Sequence, residues 1–350
     1  MTLRPLCSPY VFAESIRVRD GATLTLEPGT VLTFAPAAAL EVGVEGTGRL
    51  VATGSASAVI RLTASLPGDQ QGTWGGVVLG VDTLEGTTLE HVEVASVGEE
   101  ACLAIEVDRP GVVSVTRTTF RGCAGAAVTT DHPDFRFHAF SSNNFRECGV
   151  GLAVNANTVG SVGDALTYVN TPHNVVTQDD PVGTSATWLA QPVPWVMEGD
   201  LEVYAPVEGD PVPVLTLSAG TVLRFPEEAG VVVGDMAAGA LVVAGTAESP
   251  VVLESNQEAA AAGGWLGVGV GGVASPETRI QHAVIRHAGV VSVLHRGGLT
   301  CSRALTTRLT VTHTVFELND RADVSICQCP FFDESDNTYR GVGVRRGDCG

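Results

Sequence analysis

The sequence predicts an all-β fold, a right-handed parallel β-helix made of two tandem homologous modules that form one elongated rod. Three observations carry this expectation. The 350 residues are 44% hydrophobic but only 5% aromatic, with 41 glycines, so a large core must be filled mainly by small aliphatic side chains. A long stretch repeats at a fixed offset, the mark of an architecture that grows by adding units. Short apolar runs are interrupted by Gly and Pro, and no segment of helical length shows apolar spacing at i, i+3, i+4 and i+7, so parallel strands must be joined by turns rather than crossover helices.

In chain order, Leu24–Leu26, Val31–Phe34, Leu40–Val42 and Leu50–Ala52 alternate apolar with small or polar residues and read as strands with one buried face. Residues 23–34, TLTLEPGTVLTF, return as residues 214–225, VLTLSAGTVLRF, an offset of 191 from Thr30 to Thr221. Carried forward without a gap, this offset superposes Gly54 on Gly245, Trp74 on Trp265, Gly76 on Gly267, His91 on His282 and Gly98 on Gly289. Upstream, Pro9-Tyr10-Val11 matches Pro194-Trp195-Val196 at an offset of 185, which an insertion around Ala205–Pro211 explains. Two modules, 1–183 and 184–350, are therefore expected, with Trp188 and Trp195 packing where the second begins.

A finer repeat sets the coil. Thr119-Phe120-Arg121-Gly122-Cys123 and Asn144-Phe145-Arg146-Glu147-Cys148 align at a spacing of 25, and Val315-Phe316-Glu317-Leu318-Asn319 follows the same pattern. One three-sided coil of strands and turns needs about this length and stacks equal positions at about 4.8 Å, so the phenylalanines should stack inside. About a dozen coils are expected. Cysteines in equal register on neighbouring coils fall within disulfide reach. Cys123 with Cys148 is the best-placed pair, while pairings among Cys7, Cys102, Cys301, Cys327, Cys329 and Cys349 stay open. Asn319, in the cysteine's place, is expected to hydrogen-bond turn backbone. The even cysteine count, the lack of paired metal-type spacings and the absence of lysine favour disulfides and an oxidising compartment over zinc.

With the GATLTLEPGTVLTF run, the Gly-Thr/Ser-Ala turn, the apolar strand and the Trp-Gly pair in place, the chain resembles the bacterial right-handed parallel β-helix repeat proteins of the cell surface or secreted fraction over essentially its whole length. That resemblance implies fold and little chemistry, because the group includes adhesin-like surface proteins, passenger regions and carbohydrate-active enzymes.

A formal net charge of -19 repels phosphate backbones, anionic lipid and polyanionic polysaccharides, which argues against nucleic acid as a partner. Residues Met1–Phe12 contain no continuous apolar run, so a secreted or surface protein is expected whose leader is absent from this chain; no segment is long and apolar enough for a membrane helix. The function expected is non-catalytic and structural or adhesive, with a glycan, a surface protein or another copy as partner. The alternative is a polysaccharide hydrolase or lyase using Asp131, His132, Asp134, Asp179 and Asp180, two clusters with Asp before or near Pro that read first as turns. Trp74 and Trp265 are candidates to stack on sugar rings, against a structural role in which the indole N–H meets a backbone carbonyl. His91 and His282 read as repeated structural positions, and His287, with Ser96 at its counterpart, lacks even that repetition. No motif implies an organic cofactor or a metal, and calcium is a secondary expectation without its repeated Gly-Gly-x-Gly-x-Asp pattern.

Overall fold

A computed structural model describes residues 1–65, 74–177, 180–290, 297–302, 308–329, 332–341 and 343–346. The strands form an all-β parallel solenoid of about 12 turns, counted over two compact units, Met1–Val175 and Val176–Gly350. Helix is confined to one turn at Pro5–Cys7 and one at Ala156–Val159 among the described residues.

Each unit has three parallel faces. In the first unit the first face includes Ala22–Leu26, Gly48–Thr53, Thr87–Glu90, Val113–Thr116 and Ala139–Ser141. The second includes Val31–Phe34, Ile60–Ala64, Val92–Ala95, Thr119–Arg121 and Asn144–Arg146, and the third Leu40–Val42, Val77–Leu79, Leu103–Ile105 and Ala126–Thr130. In the second unit the first face includes Val214–Ser218, Ala240–Ala244 and Arg279–Gln281. Its second face carries Trp195–Met197, Val222–Phe225, Val251–Ser255, Ala283–Arg286, Val315–Glu317 and Thr338–Arg340, and its third includes Gly230–Val233, Gly267–Val270, Leu299–Ser302 and Val324–Cys327.

The strands alternate because successive side chains point to opposite sides. Leu32 and Phe34 are buried while Val31 and Thr33 stay partly exposed, and the same holds at Leu50 and Ala52 against Arg49 and Val51. Burying each such aliphatic or aromatic chain contributes about 1.5–3 kcal/mol before conformational entropy is subtracted. Equal positions stack as the spacing predicts. Phe120 pairs with Phe145 in register, with ring centroids 5.7 Å apart, and Phe316 stacks on Tyr339 at 5.5 Å.

Several corners between first and second faces turn on one residue in the left-handed region: His91 (φ 49), Arg117 (φ 50) and Ser142 (φ 57) in the first unit, His282 (φ 49), His313 (φ 52) and Asp336 (φ 55) in the second. The longer corners between second and third faces open on a left-handed residue at Ser96 (φ 60), Glu147 (φ 55), His287 (φ 63) and Leu318 (φ 55). Polar side chains then tie one coil to the next. Asn143 accepts from Thr118 N at 3.0 Å and donates to Val115 O at 2.9 Å, and Asn337 makes the same pair with Thr314 N and Val311 O, each at 2.9 Å. At the other corner Asn319 accepts from Ala288 N at 3.0 Å and donates to Ile285 O at 3.1 Å, the backbone role expected of it.

The cysteine pairing differs from the expectation. Cys123 is joined to Cys102, with α-carbons 5.7 Å apart, and Cys148 is a free, buried thiol. Residues in equal register on parallel strands project side by side, whereas Cys102 enters the same corner from its far end, just before Leu103–Ile105, and faces Cys123 across it. The Cys148 thiol instead donates to Arg146 O at 3.4 Å, and its burial pushes the thiol above its ordinary range. Cys301 pairs with Cys329, Cys327 is also disulfide-bonded, Cys7 is free and exposed, and Cys349 lies outside the described residues.

Candidate functional site

Trp74 and Trp265, candidates for sugar stacking against a structural role, lie inside the coil. Trp74 is 1% exposed and Trp265 is 0% exposed, so neither presents a ring to a ligand. Trp74 stacks on Phe34 at 4.5 Å and donates from Nε1 to Ala95 O at 2.9 Å; Trp265 stacks on Phe225 at 4.7 Å and donates to Arg286 O at 2.7 Å. These contacts are related residue by residue by the 191 offset. An aromatic ring flanked by small residues fills the coil, and its N–H finds the carbonyl that a buried indole needs. Trp188 and Trp195 are also buried, within the second unit.

The acidic cluster of the first unit is a turn. Asp131 and Asp134 are exposed, Asp134 N donates to His132 Nδ1 at 3.3 Å, Phe135 N donates to His132 O at 3.1 Å, and Arg136 Nη1 donates to Pro133 O at 2.6 Å and Phe135 O at 2.7 Å. The turn closes over Phe135, Phe137 and Phe140, whose rings pack against one another. Asp180 is exposed in the second unit and adds negative charge beside Tyr204, and Asp179 lies outside the described residues. His91 and His282 are left-handed corner residues, a conformation that His, Asn and Asp adopt more readily than most. Among the described residues no group of three or more His, Cys, Asp or Glu is placed to hold a metal ion, and no helix is long and apolar enough to cross a membrane.

Another set of side chains does converge. On the second face of the second unit, outward positions on five successive strands are Arg224, Glu254, Arg286, Glu317 and Arg340. The register pairs Arg224 with Glu254, Arg286 with Glu317 and Glu317 with Arg340, and the Leu253–Ile285 pair sets Glu254 beside Arg286. Glu254 Oε1 accepts from Arg224 Nε at 2.8 Å, and Oε2 accepts from Arg286 Nε at 2.8 Å and Nη2 at 2.6 Å. Arg286 Nη1 reaches Glu317 at 3.5 Å, and Arg340 Nη1 donates to Glu317 at 3.0 Å.

A loop over residues 256–264 stands beside this ladder and forms a polar cleft of ≈ 530 Å³ with Arg224, Glu254, Arg286 and His287. The loop is tied down by backbone bonds: Asn256 N to Phe225 O at 2.8 Å, Gly264 N to His287 O at 2.7 Å and Gly263 N to Ala288 O at 3.1 Å. Ser255 Oγ donates to Gly264 O at 3.0 Å and accepts from Gln257 N at 3.2 Å. The side chains of Asn256, Gln257 and Glu258 are left exposed at the rim.

The electrostatics follow from this packing. Glu254 has a side chain only 8% exposed, and burial alone would raise its carboxyl; hydrogen bonds and charge from Arg224 and Arg286 outweigh that and hold it below the ordinary carboxylate range. His287 is pushed below its ordinary value, first by burial and then by the neighbouring Arg286, so its ring is neutral at pH 7, and its Nδ1 is buried without a partner.

The counterpart positions of the first unit do without these side chains. At the 191 offset Arg224, Glu254, Arg286 and His287 correspond to Thr33, Thr63, Ala95 and Ser96, and in the first unit Thr33 pairs with Thr63 in the same register. Desolvating a carboxylate costs several kcal/mol, roughly, even where partners offset it, and the counterpart positions carry no such cost. His287 lacks a repeated counterpart, since Ser96 stands in its place; the informative signal is that all four positions change together from small or neutral to charged or basic.

No family model matches the chain, and no curated protein or solved structure matches it either.

Proposed function

We propose that this is a non-catalytic extracellular β-helix protein that binds a glycan or a surface partner through the polar cleft beside Glu254. The observation that carries the reading is the set formed by three charged residues, Arg224, Glu254 and Arg286, with the neutral His287 beside them, present where the counterpart positions are Thr33, Thr63, Ala95 and Ser96. A buried carboxylate between two half-exposed arginines, absent from the counterpart coil, fits recognition better than stability. The cleft offers paired donors and acceptors, as hydroxyl-rich ligands need, and its volume falls in the range of about 300–1,000 Å³ common to small-ligand sites. The two disulfides among the described residues favour an oxidising compartment, hence secretion or surface display.

The state of Glu254 argues against its serving as a general acid. A glycosidase of the usual kind needs a protonated carboxyl beside a carboxylate about 5–9.5 Å away. Glu254 is held ionised and both its oxygens are occupied by arginine, so it has no proton to give. The test is a panel of soluble glycans incubated with the oxidised protein, read for bound ligand and for new reducing ends in the same samples. Binding without new ends, weakened at least about tenfold by Arg286→Ala, is the expected result. Release of reducing ends would establish the degrading enzyme instead, and a melting shift on chelation would bring calcium into the account.

A further inference from the structure

The ladder on the second face is incomplete at one end. Its five rungs alternate Arg224, Glu254, Arg286, Glu317 and Arg340, three cations and two anions, so it carries one uncompensated positive charge. Arg286 is engaged through Nε and Nη2 by Glu254 and through Nη1 by Glu317. Arg224 is different. Among the described residues only its Nε is engaged, by Glu254, and its side chain is 44% exposed on the wall of the cleft. On the strand Trp195–Met197 the register partner of Arg224 is Val196, where continued alternation would call for an acid. A guanidinium bound through Nε keeps two Nη groups, a fork whose geometry suits a carboxylate.

We propose that Arg224 anchors the carboxylate of an acidic sugar, carried singly on an otherwise neutral glycan and set over Val196 in the place of the missing acidic rung. This rests on the reading of the cleft as a glycan site and names its ligand class. The amide side chains of Asn256 and Gln257 line the same cleft and supply donors and acceptors for neighbouring hydroxyls. The single charge matters, because a net charge of -19 opposes the approach of a polyanion but costs little for one carboxylate held by a short-range fork.

The experiment compares two disaccharides differing only in the terminal ring, one ending in glucuronic acid and one in glucose, titrated by calorimetry into the oxidised protein and two variants. Arg224→Thr installs the residue that the counterpart Thr33 already uses in this fold, and Val196→Glu supplies an acid in the chain itself; thermal melts check that both are folded. The wild type is expected to bind the acidic disaccharide at least about tenfold more tightly than the neutral one. Both variants are expected to bring the two disaccharides to similar affinity. Equal binding of the two by the wild type, or an acidic preference that survives Arg224→Thr, overturns the inference while leaving a glycan site standing. Binding of neither by the wild type removes the glycan reading along with it, as does tight binding of an acidic peptide in their place.

Discussion

A valine at His91 or His282 tests the corner that these histidines form. At φ near 49 a β-branched side chain crowds its own backbone, and the left-handed conformation costs L-residues about 1–2 kcal/mol. His282→Val is expected to lower stability by about that amount and His282→Gly by much less, as denaturant midpoints would record; equal losses would mean the ring's stacking on His313, at 4.6 Å, matters more than the corner. Two thiols make a second test. Iodoacetamide is expected to label Cys7 in the native protein and to reach Cys148 only on unfolding, because one is exposed and the other is buried with its thiol pushed up. Peptide mapping that found Cys148 labelled as fast as Cys7 would contradict the packing described. Of these residues, the sequence made the phenylalanine stacks and the Asn319 turn bonds legible, since both follow from equal register. The partner of Cys123 was not, because register fixes which coils touch and not which side chains face across a corner.

At the scale of the element, the charged ladder is a strand-to-strand device whose strength depends on pH. The folded-state carboxyl of Glu254 lies below its ordinary value, so its contribution is fully present above the unfolded carboxylate range, about 4.3 for a glutamate, and is lost as pH falls through the folded value. Acid unfolding of the wild type is therefore expected to steepen below about pH 4.5, and Glu254→Gln should flatten that limb while lowering stability at pH 7. Unchanged curves would show that the two arginines do not hold Glu254. The strands themselves were readable from period-two alternation at Val31–Phe34 and Val222–Phe225, yet the ladder on their outer side was not. Outward charges on a solenoid read as ordinary solvated surface until neighbouring coils are in register, and only then do Arg224, Glu254 and Arg286 become one group. At Trp74 and Trp265 a large ring fills the core beside Phe34 and Phe225, with its N–H on a backbone carbonyl.

At the scale of the molecule, two stretches of one chain share a frame and differ in what they add to it. Each unit builds three parallel faces from the same alternation, and the side-chain contacts of Trp74 recur at Trp265, as those of Thr87 to Leu50 N recur from Thr278 to Leu241 N, both at 3.4 Å. Against that shared frame the charged cleft stands out as an addition that stacking does not need. Fold class was legible because repetition multiplies a weak local signal over many coils; the site was not, because it occurs once. The most direct test exchanges the four residues for their counterparts, Arg224→Thr, Glu254→Thr, Arg286→Ala and His287→Ser, and measures melting temperature and glycan binding together. The account predicts a folded protein, with a melting temperature within a few degrees of the wild type, that has lost its ligand. A protein that unfolds, or one that folds and binds as before, would contradict it.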